Sequence, residues 1–143
     1  MKRLMTLSTL FLVAACDTSD GQGASTSGFV TNTGVRVNPV NANVFEVVPK
    51  AGARGSSPFW CGAGQYARRA LGAQDNARVH VVGGVGPGVT STSPDTAQFS
   101  LLPAGQAEGA TGRTGSWGPS LGASKTVISA RSGCSRSSDR DLR

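Results

Sequence analysis

The residues of this chain with most chemistry to offer are Cys16, Cys61, Cys134 and the single imidazole, His80. The stretch Phe59-Trp60-Cys61-Gly62-Ala63-Gly64 sets a thiol near the start of a helical pattern. There the partial positive charge of a helix end can lower a thiol pKa and make it a nucleophile. His80 would then be the base, but a working arrangement needs a third group to orient that base. Glu46, Asp75, Asp95 and Glu108 are dispersed and supply no carboxylate pair. No catalytic residue is assigned, and the expectation is a non-enzymatic protein. A thiol-dependent enzyme using Cys61 ranks third among the readings.

Other site chemistries fare no better. One histidine and cysteines without paired spacing make a poor metal site, so neither metal nor cofactor is expected. Gly83-Gly84-Val85-Gly86-Pro87-Gly88 follows a strand pattern, as a phosphate loop would. Pro87 removes an amide donor, no Gly-Lys-Ser/Thr follows and no helix opens after it, so a wide hairpin loop is expected. Trp60, Tyr66 and Trp117 could form a platform for a sugar or peptide. The first two fall on the apolar face of the predicted helix, where core packing is the simpler reading. Trp117 is either an anchor into the core or an exposed binding residue.

The elements that position these residues can be read from periodicity. Val35-Arg36-Val37 alternates, Asn38-Pro39 and Asn41-Ala42-Asn43 supply turn chemistry, and Val44–Val48 resumes a β-rich run that Pro49 ends. A helix is predicted with Ser57 as N-cap, Pro58 in the first helical position, Arg68 and Arg69 in the last turn, and Gly72 beyond the C-terminus. Phe59, Trp60, Ala63, Tyr66, Ala67, Ala70 and Leu71 share its broad face, opposite Cys61, Gln65 and Arg68. Gly62 and Gly64 each cost up to about 1 kcal/mol against alanine, which suggests that a backbone or the tail approaches closely there. Strands are expected at Arg78–Val82, with His80 pointing to solvent, and at Ala97–Leu102, joined by a loop over Gly83–Thr96. From Pro103 onward small and polar residues dominate, and Thr126-Val127-Ile128 is the last strand candidate. The fold class predicted is α+β: a small antiparallel sheet with one packed helix, flanked by an N-terminal tether and a Gly/Ser-rich C-terminal tail.

The beginning of the chain carries an address. Met1-Lys2-Arg3 is basic, and Leu4–Ala15 is uncharged. As a helix that stretch spans about 18 Å, short of the roughly 30 Å bilayer core, and the pattern is that of an export signal. Its end, Val13-Ala14-Ala15-Cys16, resembles the lipobox of bacterial lipoproteins. The resemblance implies cleavage between Ala15 and Cys16, a diacylglyceryl group on the Cys16 thiol, and fatty acyl chains such as palmitate that anchor the protein in a bilayer. An unknown envelope protein or ligand would be the other partner. Ordinary cleavage after Ala15, leaving a soluble secreted domain, is the alternative. Assigning Cys16 to lipid leaves Cys61 and Cys134 for one bridge, worth up to about 4 kcal/mol in the chain-entropy model. Asp17 slightly favours retention in the inner membrane, facing the periplasm.

The expected organisation is therefore a signal peptide (1–15), a lipidated cysteine and tether (16–28), a small α+β domain (29–102) and a loosely ordered tail (103–143). Losing Lys2 and Arg3 with the leader takes the formal charge from +6 to +4. The arginines are scattered and form no dense block, so nucleic acid is not an expected partner. The span Phe45–Leu102, with Phe59-Trp60-Cys61-Gly62-Ala63-Gly64 at its centre, also resembles small exported proteins of alphaproteobacteria. That resemblance implies a domain over this span and no mechanism.

Overall fold

Alternating apolar residues build the sheet. The computed structural model describes residues 28–107, 109 and 117–134. In it Val37, Phe45 and Val47 face a helix while Asn38, Val44 and Glu46 face the other way. Strands β1 (Phe29–Val30), β2 (Arg36–Pro39) and β3 (Val44–Val48) precede helix α1 (Ser57–Arg69). After it come β4 (Arg78–Gly86), β5 (Thr96–Ser100), β6 (Ser124–Thr126) and helix α2 (Val127–Arg131). The six strands form one antiparallel sheet in the order β1-β2-β3-β5-β4-β6. This is the α+β architecture expected, with α1 as the main packed helix.

Several boundaries differ from the sequence reading, each for a local reason. Asn38 and Pro39 finish β2, and the turn is made downstream, where Asn41 Oδ1 accepts from the N–H groups of Asn43 and Val44 (both 2.9 Å). The N-cap of α1 is Ser56 rather than Ser57, and its side chain makes no capping bond. Ala70 closes α1, so Ala70 and Leu71 leave the apolar face and are exposed. Gly72, at φ +66°, then turns the chain so that the Ala73 N–H reaches the Ala67 carbonyl at 2.9 Å.

Gly83, Gly84 and Gly86 belong to β4 and not to a loop, which starts after Gly86. Two register shifts in the β4–β5 pairing place Gly83 opposite Gln98, on the face away from α1, and still return Val85 to the core. A Cβ at Gly83 would lie 3.1 Å from that of Gln98.

The largest correction concerns the segment read as a loose tail. Within it, β6 pairs with β4, and Thr126 caps α2 by accepting the Ser129 N–H at 3.3 Å. Val127, expected in a strand, begins that helix, and it and Ala130 are fully buried. The domain therefore runs past residue 102 to Cys134. A helix this short has too few residues to display an apolar stripe, and it forms because α1 gives it a surface.

Helix α1 is enclosed on both sides. Toward the sheet, Trp60 meets Phe99 edge-on at 5.2 Å, and Tyr66 lies on Phe45 (4.7 Å) and Phe29 (5.7 Å). A Cβ at Gly62 would fall 2.7 Å from a Val47 methyl, and one at Gly64 would fall 2.7 Å from the Arg131 backbone nitrogen. The approach of a backbone or the tail anticipated at these glycines is present at Gly64, whereas Gly62 is met by the side chains of Val35, Val37 and Val47. Since Gly64 abuts backbone, Gly64→Ala is expected to destabilise the domain by about 1–3 kcal/mol despite its gain in helix propensity. Thermal unfolding followed by circular dichroism should show a clearly lowered midpoint. An unchanged midpoint would mean that α2 is not seated there.

Candidate functional site

The thiols come first. Cys61, fully buried on α1, is bonded to Cys134, just beyond α2, across a sequence separation of 73 and a Cα–Cα distance of 4.7 Å. Around the bridge, Gln65 Nε2 donates to Cys134 Sγ at 2.9 Å and to Asn32 Oδ1 at 2.8 Å, and the Thr33 hydroxyl lies 3.6 Å from Cys61 Sγ. Gln65 Oε1 is buried without a protein partner. On the helix face opposite the sheet, Cys61 and Gln65 are thus covered by the 31–33 turn and the segment after α2, and Arg68 is exposed. Bridged Cys61 has no free thiol to act as a nucleophile. Ala15 and Cys16, the proposed cleavage and lipidation site, lie outside the described residues.

His80 is half-buried, opposite Ser100 on β5 and Ser124 on β6, on the face away from Val79 and Val81. Among the described residues no side-chain hydrogen bond joins His80 to Ser100, its backbone partner on β5, whose hydroxyl accepts the Leu102 N–H at 3.0 Å. The three side chains share a row without forming a proton relay. Among the described residues, no three His, Cys, Asp or Glu side chains gather as a metal ion would require. The aromatic candidates are core residues: Trp60 is 3% exposed, and half-buried Trp117 packs edge-on against Phe59 at 5.7 Å. Trp117 is therefore an anchor.

The polar centre that the sequence did not reveal is Glu46. Asn38, Glu46, Gln98 and Gly83 form one cross-strand row on the face away from α1. Glu46 and Gln98 are both fully buried. The Glu46 carboxylate accepts from the N–H of Val89 (3.0 Å), the N–H of Thr90 (3.0 Å), the Thr90 hydroxyl (2.7 Å) and Gln98 Nε2 (3.3 Å). Burial pushes the carboxyl upward, but the Thr90 hydroxyl, the two amides and Gln98 together outweigh it, and the pKa ends below the ordinary value of 4.5. The charge is thereby held by the loop between β4 and β5. At Gly88, where that loop begins, a Cβ would lie 2.5 Å from the Ser91 carbonyl oxygen and 3.2 Å from Glu46 Oε1. The loop residues that hold this internal anion, Val89 and Thr90, directly follow the Gly83–Gly88 stretch.

A signal for this was present. Glu46 shares its face of β3 with Val44 and Val48, and two valines beside one carboxylate suggest a covered face. No family model, no curated protein and no solved structure matches the chain.

A carboxylate whose folded pKa is depressed contributes stability above its unfolded pKa and loses it as pH falls through the folded value. Domain stability is therefore expected to decline below about pH 4.5. Glu46→Gln, which presents an amide donor to facing N–H groups, is expected to cost about 2–3 kcal/mol at neutral pH and to flatten that acid limb. Urea unfolding at several pH values measures both. Parallel acid limbs in the two proteins would remove Glu46 from the account.

Proposed function

We propose that this chain is a cell-envelope lipoprotein, anchored through an acylated Cys16, whose domain binds or supports an envelope component rather than catalysing. The observation that carries this reading is the Cys61–Cys134 bridge. It consumes two of the three cysteines and leaves Cys16 as the odd thiol, at the end of a leader-like apolar run. A structural bridge fits an oxidising compartment, and export is what the basic and apolar start implies. Among the described residues no helix is long and apolar enough to cross a membrane, so any attachment through this domain's own chain would need another device. Acylation of Cys16 supplies one, because several fatty chains together exceed what stable anchoring requires.

The bridge also ranks the alternatives. A thiol-dependent enzyme using Cys61 would first have to reduce a bond whose Cys61 side is fully buried. A soluble secreted domain would keep the same fold and differ only at Cys16.

The intact mass of the exported protein separates these outcomes. The expected species starts at Cys16, carries diacylglyceryl and acyl groups, and shows no free thiol until reduction exposes Cys61 and Cys134. Cys16→Ser should move the protein from membranes to the soluble fraction with its bridge intact. A bare thiol at Cys16 or a retained leader would overturn the proposal.

A further inference from the structure

Strand register and two helix ends bring four arginines and two exposed aliphatic side chains to one end of the domain. Arg68 and Arg69 end α1, and Leu71 follows, 45% exposed. Asp75 sits between Arg68 Nε (3.6 Å) and Arg131 Nη1 (3.4 Å), and its backbone carbonyl accepts the Ile128 N–H at 3.1 Å. Ile128, on the first turn of α2, is 59% exposed. Arg78 opens β4 at this same end, paired with Thr126 immediately before α2. Two of the four, Arg68 and Arg131, share this exposed carboxylate, while the Arg78 guanidinium donates to the Ser124 hydroxyl at 2.8 Å.

The chain also enters here. Phe29 pairs with Val37 and Val30 with Arg36, so Gly28 precedes β1 at the end of the sheet where Pro39 closes β2 and Val44 opens β3. That is the end at which α1 stops and β4 and α2 start. Residues between Cys16 and Gly28 can span at most about 40 Å even when fully extended. An anchored Cys16 would therefore keep this entry end within about 40 Å of the bilayer.

We infer that the end bearing Arg68, Arg69, Arg78, Arg131, Leu71 and Ile128 docks on anionic phospholipid headgroups. The inference rests on the anchoring reading above and names the surface the tethered domain rests on. The guanidinium groups supply phosphate-matching forks, and Leu71 and Ile128 supply apolar side chains for the headgroup–acyl boundary. The opposite end, with Arg36 and Arg54, is basic too, but the chain does not enter there.

The test uses the oxidised leaderless chain from Asp17 to Arg143. It has no acylation site and keeps residues 28–134, which hold the whole described sheet, core and bridge. Co-sedimentation is measured with phosphatidylcholine vesicles and with a two-to-one mixture of phosphatidylcholine and phosphatidylglycerol. Binding is expected to the mixed vesicles alone, weakening as salt rises. Arg68→Glu with Arg131→Glu should weaken it by about twenty-five-fold per position, since each nearby cation is worth about fivefold and reversal counts twice. Arg68→Gln with Arg131→Gln avoids new repulsion at Asp75 and should weaken it by about fivefold per position. Leu71→Ser with Ile128→Ser should also reduce binding, whereas Arg36→Glu with Arg54→Glu should leave most of it.

Equal losses from reversal at the two ends would overturn the inference in favour of net charge. So would the absence of binding, or equal affinity for a DNA duplex with the same variant pattern. Because this probe has no lipid, its failure leaves acylation of Cys16 standing, and a bare Cys16 in exported protein would not alter the vesicle result.

Discussion

The fold depends on α1 being pressed from two sides at once. A helix laid on a sheet normally buries one stripe and leaves the rest to water. Here every residue from Phe59 to Ala67 is buried. Enclosure of that kind requires the neighbours to come closer than ordinary side chains allow. Gly62 lets Val35 and Val47 reach the helix from the sheet, and Gly64 lets the α2 backbone reach it from above. The glycines weaken the helix as an isolated element and strengthen the assembly around it. The bridge from Cys61 to Cys134 then fixes the segment after α2 to the same helix, so the covering layer is tied covalently to what it covers.

The opposite face of the sheet solves a different problem with a different chemistry. Its central row is polar, and a buried carboxylate is costly unless its oxygens are saturated with donors. Two backbone amides, a hydroxyl and a side-chain amide answer Glu46. An apolar residue at this position would pack against the loop but give the N–H groups of Val89 and Thr90 nothing to donate to. The carboxylate therefore specifies the loop's course, and the loop in turn keeps water from the carboxylate. Neither is stable as found without the other, which is a reason to regard the row as structural rather than as a reacting centre.

What the sequence made legible follows from how far apart the cooperating residues lie. The alternation in β2 and β3 and the aromatic spacing of α1 are local, and each was readable to within a residue or so. Cysteine parity made the bridge accessible without any geometry. Burial of Glu46 was not accessible in the same way, because its donors arrive from a loop more than forty residues downstream. Likewise α2 has only Val127 and Ala130 to mark an apolar face, and its existence depends on Gly64 being bare. The short helix, the sixth strand and the covered second face are all products of non-local contacts. A pattern of serine, glycine and threonine therefore resembled a tail when part of it completes the domain.

The same contacts give the domain a direction. Antiparallel pairing forces the entry to β1, the exit from α1, the start of β4 and the start of α2 to a common end. Arg68 and Arg69 close α1 there, where cations offset the negative end of a helix dipole, and Arg131, in the last turn of α2, reaches back to Asp75. Among the described residues Asp75 is the carboxylate paired with them, and it is shared by two. The topology thus places positive charge at the same end of the sheet as the chain's entry, with β1 on one edge and β4 and β6 toward the other. Topology and helix-end electrostatics are independent causes, and they coincide at the end of the sheet from which the chain enters β1.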